Sequence, residues 1–184
     1  MILIEHGPGG QPVLFAAPRE LLVAWEAAEV LPLLARADEA RAQGLWVAGW
    51  IAYEAGYAME DRLHPLMPEE AGPLLVLGLY DAPQPAGALL AQAEVEAEGA
   101  SLAPIRPLVG RAGHEAAVHR VLDYIAAGDC YQINLTIPLA SHLQSGTALG
   151  LYGALRQRQA VGFGAFADMG VGPVLISRSP ELFF

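Results

Sequence analysis

Lysine is absent from the 184 residues, and all ten basic side chains are arginine. A mechanism that needs a side-chain amine as nucleophile, base or Schiff-base former therefore cannot be completed by this chain. Cysteine occurs once, at Cys130, which excludes an internal disulfide and a multi-cysteine metal site and agrees with a reducing compartment. Positive charge is scarce: the formal net charge is −10 and the arginines are scattered, which opposes attraction to phosphate backbones or anionic lipid surfaces. Neither nucleic acid nor membrane is expected as a partner. Long hydrophobic runs are also missing, since Leu45 to Tyr53 and Gly72 to Tyr80 reach only about half of the ~20 residues that a membrane span requires. The first ten residues place no basic region ahead of their apolar ones, so no secretory signal is read there and a cytoplasmic location is the expectation.

What the chain does have is apolar material, 54% of its residues, enough for a substantial core. Met1 to Glu5 reads as a strand turned by Gly7-Pro8-Gly9-Gly10 into a second at Val13 to Phe15, with another near Leu21 to Trp25. From Val30 to Gln43, Leu33, Leu34 and Ala37 recur at helical spacing, with Pro32 in the first turn and Gly44 as the stop. Leu45 to Tyr53 and Leu74 to Tyr80 suit buried strands. The run after Asp81 to Gly87 reads equally as helix or edge strand. Beyond Pro104, Pro107 and Gly110, the residues Val118, Val121, Leu122 and Ile125 mark a helix ending at Gly128, and a second structural unit is expected from residue 111. Cys130 to Ala140 alternates as a strand does, with Tyr131, Ile133, Leu135 and Ile137 on one face and Cys130, Gln132, Asn134 and Thr136 on the other. A helix near Ala148 to Gln157 and strands at Gly164 to Asp168 and Pro173 to Ser177, joined by a turn with Gly170, complete the reading. The apolar ending Glu181-Leu182-Phe183-Phe184 reads as a cut through a larger fold.

Several motif readings fail on spacing. His114 and His119 are five residues apart, roughly 140° around a helix, and do not share a metal. The glycine-rich pieces match neither a dinucleotide fingerprint nor a phosphate loop, and no G-x-S-x-G elbow surrounds any serine. Asp129 beside Cys130 discourages the thiolate, so a structural role is favoured for that cysteine. What remains is Gly128-Asp129-Cys130-Tyr131-Gln132-Ile133-Asn134-Leu135-Thr136, a helix stop feeding a row of amide and hydroxyl side chains. Periodicity alone reads it as a half-buried strand.

That string resembles the G-D-x-Y-Q-x-N-L-T signature of the chorismate-binding enzymes, most like the aminodeoxychorismate synthase component I (para-aminobenzoate synthase) branch. Ser177-Arg178-Ser179-Pro180-Glu181-Leu182-Phe183 resembles the family's S-x-S-P-E-x-F strand, and Gly49 to Gly56 its G-x-x-x-Y-[DE]-x-G element. The resemblance implies an α+β fold of stacked antiparallel β-sheets flanked by helices in two intertwined lobes, here truncated: residues 1–110 as the N-terminal lobe, residues 111–184 as the start of an incomplete catalytic domain. It implies Mg²⁺-dependent amination of chorismate to 4-amino-4-deoxychorismate, a folate precursor, with ammonia from a glutaminase partner.

The reactive Lys, the metal-holding Glu residues and the substrate-binding loop of that family would all lie beyond Phe184. No catalytic or metal-ligating residue is therefore assigned here, and this chain alone is expected to be inactive. The resemblance offers Gln132, Asn134, Thr136, Ser179 and Glu181 as substrate-cavity candidates, with cross-strand hydrogen bonds as the alternative use of each. Glu5, His6, Val161 and Phe163 would correspond to a vestigial amino-acid pocket. Its Gln159-Ala160-Val161-Gly162-Phe163 element lacks the prolines and serine of regulated relatives, which argues against a regulatory ligand. Two alternatives stand beside this reading: an anthranilate synthase component I fragment, or a noncatalytic module docking a glutaminase or a separate catalytic chain.

Overall fold

In chain order, the first half forms β1 (Ile2–Ile4), β2 (Val13–Phe15), β3 (Glu20–Ala24), α1 (Ala27–Ala42), β4 (Trp46–Ile51), α2 (Ala55–Met59), β5 (Leu75–Tyr80) and β6 (Gln84–Pro85). There follow α3 (Gly87–Ala97), β7 (Ser101–Leu102), β8 (Arg106–Pro107), α4 (Arg111–Ala127), β9 (Leu139–Ala140), β10 (Leu143–Ser145), α5 (Ala148–Arg158), β11 (Phe163–Ala167) and β12 (Leu175–Ser179). These come from a computed structural model, which describes residues 1–68 and 72–182. Phe183 and Phe184, read above as part of a terminal strand, lie outside that range.

The architecture is α+β, and its layers follow from strand alternation. One sheet runs β12-β11-β1-β2-β6 and another β3-β5-β4, every pairing antiparallel. Successive side chains of a strand point to opposite faces. Leu3, Leu14, Phe166 and Ile176 therefore meet α3 and α5, through Leu89, Ala93, Leu149 and Tyr152. Ile2, Val13, Phe15 and Ala167 instead meet Ala48 and Tyr80 of the other sheet. That second sheet buries Leu22, Leu75, Leu77 and Leu79 against Val30, Ala37 and Ala40 of α1. The order is helices, five-stranded sheet, three-stranded sheet, helix, and the five-stranded sheet takes strands from both sides of residue 110.

Four sequence readings are corrected. First, α1 starts at Ala27, because the Glu29 carboxylate accepts from the Trp25 and Glu26 amides and so satisfies backbone donors at the helix start. Pro32 thus sits inside the helix, past its first turn; it and Ala28 are both exposed, so water reaches the carbonyl that Pro32 leaves unbonded. Second, β4 is an edge strand with Trp46 39% and Ile51 49% exposed, whereas β5, between two neighbours, is buried throughout. Third, Cys130 to Ala140 is not a strand until Leu139: a ladder needs a partner, and among the described residues 130–138 join none, with only the Leu108 amide donating to the Pro138 carbonyl at 2.8 Å next to the β8–β9 pair. Fourth, β12 ends at Ser179, so Glu181 lies past the strand rather than on it.

The undecided run after Gly87 is the helix α3, and the Pro-punctuated stretch before it holds the short edge strand β6. Helix α4 ends at Gly128 as read, with the positive φ of 81° that favours glycine, and buries none of its residues. Among the described residues no helix is long and apolar enough to cross a membrane.

Candidate functional site

After the α4 stop, where the Asp129 amide donates to the Tyr124 carbonyl at 3.0 Å, the backbone joins no ladder until Leu139. Gln132, Asn134 and Thr136 are all exposed. Asp129, Cys130, Tyr131, Gln132 and Asn134 surround a hollow of about 510 Å³. Ile133 and Leu135 face a separate hollow of about 380 Å³ beside Ala117, Val121 and Tyr124 of α4. Tyr131, read above with Ile133 and Leu135, instead shares the hollow of Gln132 and Asn134, so the expected division into an apolar and a polar face holds only in part, and the amide row meets solvent.

Ser179, half-buried, is the last residue of β12 and pairs with Phe163 of β11. Its hydroxyl donates to the Glu181 carbonyl at 2.8 Å and accepts from the Glu181 amide at 3.3 Å, turning the chain tightly through Pro180. The Glu181 side chain is exposed. Among the described residues no hydrogen bond joins Ser179 or Glu181 to Gln132, Asn134 or Thr136, and the hollow lined by Gln132 and Asn134 includes neither Ser179 nor Glu181.

The best-connected polar cluster centres on Glu5, just past β1. Its amide donates to the Gly164 carbonyl at 2.9 Å, continuing the β1–β11 ladder, and its side chain leaves the sheet on the α5 side with that of Leu3. There Glu5 Oε1 accepts from the Tyr152 hydroxyl and from Arg178 Nη1, with Arg156 Nε 3.4 Å away. Arg178 Nη2 donates to the Gln159 carbonyl at 2.7 Å, and its guanidinium lies 5.7 Å from the Tyr152 ring centre. The Arg178 and Glu5 side chains are only 8% and 12% exposed, so this pair is not screened as a surface pair would be. Removing one partner of such a pair leaves an uncompensated charge and costs about 3–5 kcal/mol. Burial, reinforced by the bond to Glu5, holds the Tyr152 hydroxyl protonated well above the usual phenol range.

Of the amino-acid-pocket candidates, His6 sets its ring edge-on to Phe163, centroids 5.2 Å apart, while Val161 is half-buried nearby in sequence. Alternation separates His6 from Glu5: His6 lines a different space, an apolar groove of about 610 Å³ between the β1–β2 hairpin and the edge strand β4. Ile4, Phe15, Trp46, Ala48 and Trp50 line the same groove. The Trp50 indole nitrogen is buried without a hydrogen-bond partner. The sequence reading missed Tyr152 and Arg156 altogether and assigned Arg178 no role. Residues 147 and 173 positions from Glu5 carry no local signal of their meeting.

Among the described residues no group of three His, Cys, Asp or Glu side chains is placed to hold a metal ion.

These features define an α+β scaffold of stacked antiparallel sheets, with an exposed polar segment after α4 and a buried ionic cluster at the end of β1. The chain matches the family described as chorismate binding enzyme over residues 5–184, and it belongs to that family. Over 71 residues, 39% of this chain, it is 41% identical to anthranilate synthase component 1 of Thermus thermophilus, a match that spans 15% of that protein. No solved structure matches the chain.

Proposed function

We propose that this chain is the N-terminal part of a chorismate-aminating enzyme of the aminodeoxychorismate synthase component I type. The observation that carries the reading is the string Gly128 to Thr136, placed at the end of α4 with its amide and hydroxyl side chains turned outward. Family membership over nearly the whole chain supports it. In this reading Gln132, Asn134 and Thr136 on one segment, and Ser179 and Glu181 on another, each contribute to the walls of a substrate cavity. The lysine amine that attacks the ring and the Mg²⁺ ligands come from residues this chain does not hold, and ammonia comes from a glutaminase subunit. Chorismate carries two carboxylates, and a chain of net charge −10 without lysine is poorly equipped to bind it unaided.

Anthranilate synthase component I is the second reading, favoured by the identity to the Thermus thermophilus protein. The two are separated by product. With chorismate, ammonia and Mg²⁺, the complete reading frame that carries this chain is expected to yield 4-amino-4-deoxychorismate, and anthranilate in its place would establish the second reading. The 184-residue chain alone is expected to yield neither, and turnover by it would overturn the assignment of the catalytic groups to other residues.

A further inference from the structure

The Glu5 cluster ties together three elements that lie far apart in the chain, and one of them ends at a cavity candidate. β12 is an edge strand, held along one side by β11. Edge strands open at their ends more readily than central ones, because half of their backbone groups have no ladder partner. Arg178 is the residue before Ser179, and it is clamped twice, by Glu5 through Nη1 and by the Gln159 carbonyl through Nη2. Gly164, opposite Arg178 in the β11–β12 register, makes the clamp possible: a Cβ there would stand 2.6 Å from the Glu5 carboxyl carbon. Two guanidinium groups share this one carboxylate, and Glu94 on α3 balances only Arg156, at 2.9 Å and half exposed. A neutral amide at position 5 would leave Arg178 without its counter-charge.

We propose that Glu5 is a positioning residue for Ser179–Glu181: through Arg178 it holds the end of β12, so the first strand of the chain orders a turn proposed to wall the substrate cavity. The inference deepens the chorismate reading and rests on it for the cavity, but not for the ordering.

Amide hydrogen exchange on the 184-residue chain tests the ordering without reference to substrate. Glu5→Gln is expected to speed exchange of the β12 amides bonded to β11 by about tenfold or more, while Leu75–Tyr80 of the other sheet keeps its parent rates. Equal acceleration in both sheets would mean general destabilisation, and that result, like no acceleration at all, overturns the proposal. Arg178→Lys keeps a cation for Glu5 but gives up the fork that also reaches the Gln159 carbonyl, and is expected to loosen β12 less than Arg178→Ala does. Loosening of β12 as great as in Arg178→Ala would show that the charge pair is not the tie. In the complete reading frame, Glu5→Gln is expected to raise KM for chorismate several-fold with kcat within about twofold. An unchanged KM over a loosened β12 refutes positioning of the cavity wall. If the parent frame neither binds nor turns over chorismate, the functional reading falls, and the exchange data still decide whether Glu5 orders Ser179–Glu181.

Discussion

Gly153 of α5 lies against the backbone of Ala93 on α3 so closely that a Cβ at Gly153 would stand 2.7 Å from the Ala93 carbonyl carbon. Gly150, nearly one turn earlier, meets Glu96 in the same way, and a Cβ there would stand 3.1 Å from the Glu96 carbonyl carbon. These two contacts set how closely α5 packs against α3, and so help to place Tyr152 of α5 where it reaches Glu5.

Gly153→Ala is therefore expected to destabilise. Alanine would add up to about 1 kcal/mol of helix propensity, but forcing the helices apart costs about 1–3 kcal/mol. Urea unfolding should show a net loss, and a gain in stability would mean that α5 moves away freely.

Tyr152→Phe removes one donor from Glu5 while Arg178 stays, and the expected loss is about 1–2 kcal/mol near neutral pH. The hydroxyl's pKa is raised on folding, so its contribution is complete below the unfolded value of 10.0 and declines as pH rises from there toward the folded value. The parent's advantage over Tyr152→Phe should shrink above about pH 10, by up to ~1.4 kcal/mol per pH unit. An advantage that stays level from pH 9 to 11 would contradict the raised value.

Tyr131 is 92% exposed, on backbone without a ladder, whereas Tyr80 and Tyr152 are buried. Brief chymotrypsin treatment is expected to cut after Tyr131 well before either of the others, as mass spectrometry of the fragments would show. Resistance at Tyr131 would mean that this segment is covered in solution.

How far the sequence could be read depended on the range of the interaction. The β1–β2 hairpin, β3, β5 and the α4 stop at Gly128 follow from contacts within a few residues: glycine turns, alternating or dense apolar runs, a residue at positive φ. Pro32 misled because the Glu29 carboxylate, accepting from the Trp25 and Glu26 amides, outweighed it in setting where α1 begins. Cys130 to Ala140 misled in the opposite sense, since alternation is a necessary mark of a strand but pairing makes one.

The amino-acid order by itself determined the absence of a lysine nucleophile, the helix and strand segments with strong local periodicity, and the two motifs that mark the chorismate-binding family. Only the tertiary structure decided that β11 and β12 flank β1, that β4 lies at an edge, and that Glu5 is held by Tyr152 and Arg178. The physical reason is that a local pattern selects a backbone conformation and the face that must be buried, whereas a buried charge takes its partner from whatever the packed layers bring within reach.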